Sequence, residues 1–163
     1  MRSYAILAVL AVLLTAMASA QPKPPTRQDV ERAIAAFEAD PLGPGAKPHI
    51  ATIVTFSIES DSVLVEMSPV TVPFIEDKNE KYLDPLLSAF IAGNVKAQLQ
   101  AGKAEDRSVE GVREALRVYA MIRQRDPQYR SAGMDRLAEA ESQGRLAAFI
   151  AEEKRKLQDK PAR

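Results

Sequence analysis

The residue types that most often carry catalysis and metal binding are scarce in this chain. It has no cysteine, no tryptophan and a single histidine, His49. The lack of cysteine excludes thiol catalysis, iron–sulfur clusters and Cys-ligated zinc. A lone imidazole can act as a base or a ligand, but there is no Cys or second His with which His49 would share a metal ion. We therefore predict that His49 is a surface or cap residue.

Carboxylates are concentrated in one stretch, residues 76–81 (Glu-Asp-Lys-Asn-Glu-Lys), with Asp84 close by. A hard cation such as Ca²⁺ binds through oxygens of this kind. The stretch lacks the glycine that an EF-hand loop needs at its sixth position, and lysines stand among the would-be ligands. This pattern favours a solvated loop over a metal site.

The sequence contains none of the short motifs of nucleophilic or nucleotide chemistry. It has no Gly-x-Ser-x-Gly, no Walker loop and no dinucleotide-binding fingerprint. A hydrolase that uses carboxylates alone stays as an alternative, because any two acidic residues could meet in space, but the sequence selects no pair. We therefore predict no catalytic, cofactor-binding or metal-binding residues and a protein that is not an enzyme.

The first twenty residues have the three-part layout of a secretory signal peptide. Arg2 supplies the positive charge, residues 5–14 are all apolar, and Ala18-Ser19-Ala20 offers the small side chains that signal peptidase accepts. A membrane-spanning helix needs about 20 strongly apolar residues, and this stretch is shorter and rich in alanine. We predict cleavage after Ala20, a periplasmic or secreted protein, and contact with the membrane only through the uncleaved signal.

The charge balance limits the classes of partner. The chain has 22 Lys+Arg and 22 Asp+Glu residues, which gives a formal net charge of zero. A general nucleic-acid binder needs a basic surface that displaces counterions, so we predict that nucleic acid is not a partner. The length after cleavage is that of one domain. We divide the chain into a signal peptide (1–20), a Pro-rich spacer (21–25), one helical domain (26–158) and a tail (159–163).

Apolar periodicity predicts that the domain is mostly helical. Thr26 and Asp29 have the spacing of a capping box at the start of the first helix, which Asp40-Pro41 ends. Residues 47–59 fit a second helix, although their β-branched content leaves a hairpin over residues 50–67 as the alternative.

Four helices are predicted in the second half of the chain, the last ending near Leu157. Their boundaries are set by residues typical of caps and turns. These are Asp84-Pro85, Gly102, Ser108, Asp126-Pro127 and Gly144. The predicted fold class is therefore all-α, an antiparallel bundle or stack of about five to six helices with a short extended segment near residues 62–75.

Residues 114–150 resemble a degenerate tetratricopeptide-like unit. Ala115 and Tyr119 stand where that repeat places a small and an aromatic residue on its second helix, Asp126-Pro127 matches the turn, Leu137-Ala138 the start of the next helix, and Gly144 the tight turn before Arg145. The resemblance implies an interaction scaffold of stacked helix pairs. An ordinary small helical bundle is the alternative.

One stretch is more apolar than a loop is expected to be. It contains Val63-Leu64-Val65 and, after a Ser-Pro pair, residues 70–75. The stretch either crosses the bundle and closes the core or forms a surface for a partner or ligand. The residues predicted for such a surface are Val63, Val65, Val72, Phe74 and Ile75.

Three functional hypotheses follow from the sequence. The first is an exported, non-catalytic module of the cell envelope that binds a partner protein. The second is a small periplasmic carrier that holds an apolar ligand between helices lined by residues such as Phe56, Phe74, Phe90 and Phe149. The carboxylate-based hydrolase is the third.

Overall fold

The computed structural model describes residues 23–75 and 80–159. Within these residues the secondary structure is helical, with six α-helices and no strand, so the all-α prediction is confirmed. The predicted signal peptide, the first two residues of the spacer and the last four residues of the tail lie outside the described residues. The helices are α1 (Arg27–Ala39), α2 (Ala46–Glu59), α3 (Leu83–Ala101), α4 (Ser108–Arg125), α5 (Ala132–Ser142) and α6 (Leu146–Gln158).

Helix α1 begins at the predicted capping box. The Thr26 hydroxyl accepts a hydrogen bond from the backbone N–H of Asp29, and the Thr26 backbone N–H donates to the Asp29 carboxylate at 2.9 Å. Two of the backbone donors that a helix start leaves unpaired are thereby satisfied. The helix ends at Asp40, as the Asp40-Pro41 pair predicts.

The ambiguous region after the first loop is the helix α2, which confirms the helical prediction for residues 47–59 and excludes the hairpin. Its β-branched residues are tolerated because Ile53, with Phe56, is buried in the core. Burial of apolar side chains outweighs the small helix-propensity penalty of β-branching.

Helices α3 and α4 form an antiparallel hairpin at the centre of the fold. Their backbones come unusually close where Gly93 and Gly111 lie. A Cβ atom added to Gly111 would lie 2.7 Å from the carbonyl oxygen of Phe90, and one added to Gly93 would lie 2.6 Å from the carbonyl oxygen of Glu110. Glycine is therefore required at both positions, since any side chain would push the two helices apart.

Two predicted helix starts are wrong in detail. Helix α3 begins at Leu83, after Tyr82, so Asp84 and Pro85 lie inside the first turn and Asp84 does not cap it. Helix α4 has Ser108 as its first residue, preceded by Arg107, without a side-chain cap. At both starts the preceding residue makes a tertiary hydrogen bond: the Tyr82 hydroxyl donates to Asp126, and the Arg107 backbone N–H donates to Asn94 Oδ1.

Glycine ends two helical segments as predicted. Gly102 follows α3 with φ of 64°, and Gly144 stands between α5 and α6 with φ of 68°. This left-handed conformation is strained for residues that carry a Cβ atom.

Helices α4 and α5 are antiparallel neighbours. The Tyr119 hydroxyl donates to Asp135 Oδ1 at 2.8 Å, and the Arg113 Nε donates to Glu141 Oε1 at 2.9 Å. Helix α4 ends at Asp126, and Gly144 lies between α5 and α6. An ordinary bundle shares this geometry, so the resemblance itself stays a prediction.

Residues 60–75 connect α2 towards α3 without regular secondary structure. We divide most of this connection into an edge segment (residues 62–67) and a turn segment (residues 68–75). Val63, Val72 and Phe74 are buried in the common core, so the connection closes the bundle. Among the helices of the described residues, none has the length and apolar character needed to span a bilayer.

Candidate binding groove

The turn segment is held in place by its own hydrogen bonds and by two buried side chains. The Ser68 carbonyl accepts the backbone N–H of Thr71 at 3.0 Å and that of Val72 at 2.9 Å. Thr71 is buried, and its hydroxyl lies 3.1 Å from the hydroxyl of Ser68. With Val72 and Phe74 anchored in the core, the turn presents Pro69, Val70 and Pro73 towards the outside.

A groove of about 370 Å³ lies between this turn and helices α5 and α6, and we call it the terminal groove. Its volume is at the small end of the range for ligand pockets, about 300–1,000 Å³. The apolar part of its lining consists of Pro69, Val70, Pro73, Leu137, Phe149 and Leu157. Leu137 is buried and forms the floor, whereas Leu157 is exposed at the rim.

Gly133 brings the start of α5 against the turn segment. A Cβ atom at this position would lie 2.3 Å from the Cβ of Pro73, so the contact requires glycine. The inner wall of the terminal groove is therefore fixed by a close approach between α5 and the turn.

Three charged residues stand on the rim of the groove: Arg136, Glu153 and Lys156. Lys156 donates to Glu153 at 2.7 Å and lies 2.8 Å from Glu152. Hydrogen bonds to Glu152 and Glu153 raise the pKa of Lys156, and the bond to Lys156 lowers the pKa of Glu152. Exposed pairs of this kind contribute little to stability.

Arg136 differs from its neighbours on the rim. It is exposed, and within residues 23–75 and 80–159 it makes no ion pair or side-chain hydrogen bond. A guanidinium beside an apolar groove can bind a carboxylate through two parallel hydrogen bonds. The groove therefore combines an apolar surface with a positive charge, Arg136, that makes no ion pair among the described residues.

The structure buries three of the five residues predicted for a partner surface and leaves the other two half-buried or exposed. The side chains of Val63, Val72 and Phe74 are buried and cannot contact a partner in this conformation. Val65 is half-buried and Ile75 is exposed, and neither lines the terminal groove. The apolar residues of the same stretch that do line it are Val70 and Pro73.

Three of the four phenylalanines predicted for a carrier pocket lie in the core. Phe56, Phe74 and Phe90 are buried among other core side chains. Phe149 is half-buried and lines the terminal groove. His49 lies in a separate shallow depression between α1 and α2, beside Arg32 and Thr52.

The acidic stretch is only partly described, since residues 76–79 lie outside the described residues. Glu80 Oε1 accepts the backbone N–H of Tyr82 at 2.8 Å, next to the start of α3. Lys81 donates to Asp126 Oδ2 at 2.8 Å. In the part of the chain that the structure describes, no group of three or more His, Asp or Glu side chains could hold a metal ion.

A cluster of tyrosines and carboxylates lies where α3 begins and α4 ends. The Tyr82 and Tyr129 rings meet edge to face at 4.9 Å between centroids, and the Tyr82 hydroxyl donates to Asp126 at 3.1 Å. Hydrogen bonds from Lys81 and Tyr82 lower the pKa of Asp126, and burial raises the pKa of Tyr119. Both shifts move away from neutral pH, where a general acid or base would need to titrate.

Sequence reasoning missed Arg136 as a groove residue. An arginine on a helix resembles any other solvated charge, and the sequence does not show which charges lack a partner. The sequence places Leu157 near the end of the last predicted helix but does not single it out for a surface, and the structure leaves it 43% exposed.

Comparison with known proteins gives no match: no family model, no curated protein and no solved structure is detectably similar to this chain.

Proposed function

We propose that this protein is an exported, non-catalytic interaction module of the cell envelope that binds a segment of a partner protein in the terminal groove. The observation that supports this most directly is the combination of an apolar groove with an unengaged guanidinium, Arg136, on its rim. The export signal at residues 1–20 supplies the proposed location.

The groove defines the chemistry of the partner segment. Val70, Phe149 and Leu157 would remove one or two apolar side chains of the partner from water, and this burial is the main source of affinity. Arg136 would pair with a carboxylate placed next to those side chains. We therefore propose that the partner presents a short apolar segment with an adjacent acidic residue.

We prefer this function to the apolar carrier. A carrier that encloses its ligand requires apolar side chains around a cavity, whereas Phe56, Phe74 and Phe90 fill the core. The terminal groove is open on one side and carries charges on its rim, which suits a polypeptide better than a fully apolar molecule.

Site-specific photo-crosslinking in the cell of origin tests the proposal. A photoreactive phenylalanine analogue at Val70 is expected to capture one envelope protein, and the same analogue at Gln124, an exposed residue of α4, is not. Arg136→Glu should abolish the Val70 product and Arg136→Lys should retain it. Lys47→Glu, which reverses an exposed charge on α2, is the matched control.

Four results would contradict the proposal or a part of it. Equal capture from Val70 and Gln124, or a Val70 product that persists in Arg136→Glu, would show that the groove does not select the partner. A small apolar molecule that stays bound in native mass spectrometry would favour the carrier. A chain whose amino terminus is not Gln21 in the envelope fraction would contradict the predicted cleavage.

A further inference from the structure

From Val63 to Glu66, the direction of the backbone groups and the exposure of the side chains both alternate from one residue to the next. Leu64 and Glu66 turn their backbone groups inwards: the Leu64 N–H donates to Gln98 Oε1 at 2.8 Å, the Leu64 carbonyl accepts from Gln98 Nε2 at 2.7 Å, and the Glu66 N–H donates to Asp106 Oδ1 at 3.1 Å. Val63 and Val65 are the less exposed side chains, and Leu64 and Glu66 are exposed. A period of two in both properties is that of a β-strand.

The amide of Gln98 takes the place of a neighbouring strand. It accepts from and donates to the same residue, Leu64, as a backbone amide does in a sheet. Gln98 is buried and is itself fixed, because its Nε2 also donates to Asn94 Oδ1 at 2.6 Å. Asn94 in turn donates to Asp106 at 2.7 Å and accepts the backbone N–H of Arg107. The inner edge of the segment is therefore held rigidly.

The outer edge of the segment has no such partners. Within the described residues, the backbone groups of Val63, Val65 and Met67 make no hydrogen bond. In an extended chain the backbone groups of successive residues point to opposite edges, so these groups point away from Gln98, towards the outer edge. They form a short, preorganised strand edge, which binds another strand with little further cost of ordering.

This edge lacks two of the features that keep strand edges apart, lysine and proline. Natural proteins protect an exposed edge with lysine, proline, a bulge or a covering element. The sequence from 62 to 67 is Ser-Val-Leu-Val-Glu-Met, which has one charge and no proline. Leu64 and Met67 are 49% and 51% exposed. The exposed apolar side chains indicate that the edge is covered in the working protein.

We infer that the edge segment pairs with the same segment of a second copy of this chain, antiparallel and about a twofold axis. In one register, every outward-pointing backbone N–H and C=O group finds a partner on the other copy. Val65 then lies opposite Val65 of the other copy, and Val63 lies opposite Met67. Each of these is a hydrogen-bonded pair that exchanges two N–H···O bonds. Leu64 then faces Glu66 of the other copy, so that the two Glu66 carboxylates are not opposite each other.

A second copy suits this edge better than an unrelated strand for two reasons. The segment satisfies its own donors and acceptors in that register, as a twofold interface requires. The formal net charge of zero also leaves no long-range repulsion between copies. The edge residues are not part of the terminal groove, so this dimer and partner binding can fail independently.

Sedimentation equilibrium of the protein as purified from cells, over a wide concentration range, is the first test. We expect a monomer–dimer equilibrium that Val65→Pro weakens by at least about tenfold, because proline removes the central donor from each copy. The internal bonds of Leu64 and Glu66 do not use that donor. Ile58→Lys is the control, since Ile58 is 77% exposed but lies outside the edge segment.

A pair of substitutions tests the register without introducing proline. Leu64→Glu places a carboxylate opposite Glu66 of the other copy and should weaken the dimer several-fold, whereas Leu64→Lys places an opposite charge there and should not. Amide exchange measured by NMR should show protection of Val65 that rises with protein concentration, while Leu64 is protected at all concentrations.

The inference is overturned by a chain that stays monomeric throughout, or by a dimer that is indifferent to both Val65→Pro and Leu64→Glu. Equal effects of Leu64→Glu and Leu64→Lys would overturn the register. A monomer that instead protects Val65 when an extended peptide is added would assign the edge to a different partner.

Discussion

The α3–α4 hairpin and the connection over residues 62–75 differ in whether their large apolar side chains are buried or exposed. The hairpin buries more than half of the residues of α3 and brings two backbones together at Gly93 and Gly111. Of the five large apolar side chains that are exposed in the described residues, three lie in the connection, and a fourth, Leu157, lines the terminal groove. The hairpin thus supplies rigidity, and the connection supplies the surfaces for which we propose function.

The connection is not a free loop, however, because it is anchored from both sides. Phe74 and Val72 are buried in the core, and Gln98 of the hairpin binds the backbone of Leu64. The same short stretch therefore contains residues that stabilise the fold and residues that face solvent. Substitutions of an anchoring residue and of a solvent-facing residue should therefore differ in their effect on stability.

The largest expected effect comes from an anchor of the turn segment. Phe74→Ala removes a fully buried ring and should lower the free energy of unfolding by about 3–5 kcal/mol, measured by chemical denaturation. Val70→Ala, four residues earlier but half-buried, should cost no more than about 1 kcal/mol. Similar losses for the two variants would show that the turn does not separate anchors from surface.

The second prediction concerns the hydrogen bonds between Gln98 of the hairpin and Leu64 of the edge segment. Gln98→Leu leaves the Leu64 N–H and carbonyl and the Glu105 N–H without their partner. We expect a loss of about 2–3 kcal/mol and faster amide exchange at Leu64. Gln100→Leu, on the same helix but exposed, is the matched control and should change stability by less than about 0.5 kcal/mol.

A smaller loss is expected from the close helix contact. Gly111→Ala gains up to about 1 kcal/mol of helix propensity but places a Cβ atom 2.7 Å from a backbone oxygen. Because backbone cannot move aside as a side chain can, we expect a net loss of about 1–2 kcal/mol in thermal or chemical unfolding. Gly45→Ala, where the new atom meets nothing within 4 Å, is the control. A stabilised Gly111→Ala protein would show that the helices separate at little cost.

The part of this architecture that depends on local chemistry was predictable from the sequence. Thr26 with Asp29, Gly102 and Gly144 marked boundaries because caps and turns are set by neighbouring residues. The starts of α3 and α4 were misplaced, and at both the preceding residue makes a tertiary hydrogen bond that a single sequence does not show.

The candidate sites depended on contacts between distant parts of the chain, which a single sequence does not show. Leu64 is exposed and its backbone is bound by Gln98, 34 positions away in the chain, whereas Val72 and Phe74 are buried in the core. Likewise, the sequence does not show that Arg136 makes no ion pair with any residue that the structure describes, because its residue type resembles every other surface arginine.

Acid should weaken the start of α1, because its first turn contains the carboxylate of Asp29. Hydrogen bonds from the Thr26 hydroxyl and backbone, and then from Arg32, lower the pKa of Asp29 from 3.8 to about 2. A lowered pKa in the folded state means that the unfolded chain binds the proton more readily. The contribution of Asp29 is thus complete above its ordinary pKa and is lost as the pH falls from about 4 through about 2.

Asp29→Asn should therefore flatten the dependence of unfolding free energy on pH between about 4 and 2 and leave the dependence above pH 5 unchanged. Asp61→Asn is the control, because Asp61 is exposed in the turn after α2 and makes no ion pair within the described residues. An NMR titration of the Asp29 carboxyl carbon measures the same pKa directly. A value near 4 would mean that the capping box is frayed in solution, and that α1 is held by the burial of Val30, Ile34 and Phe37 without help from its cap.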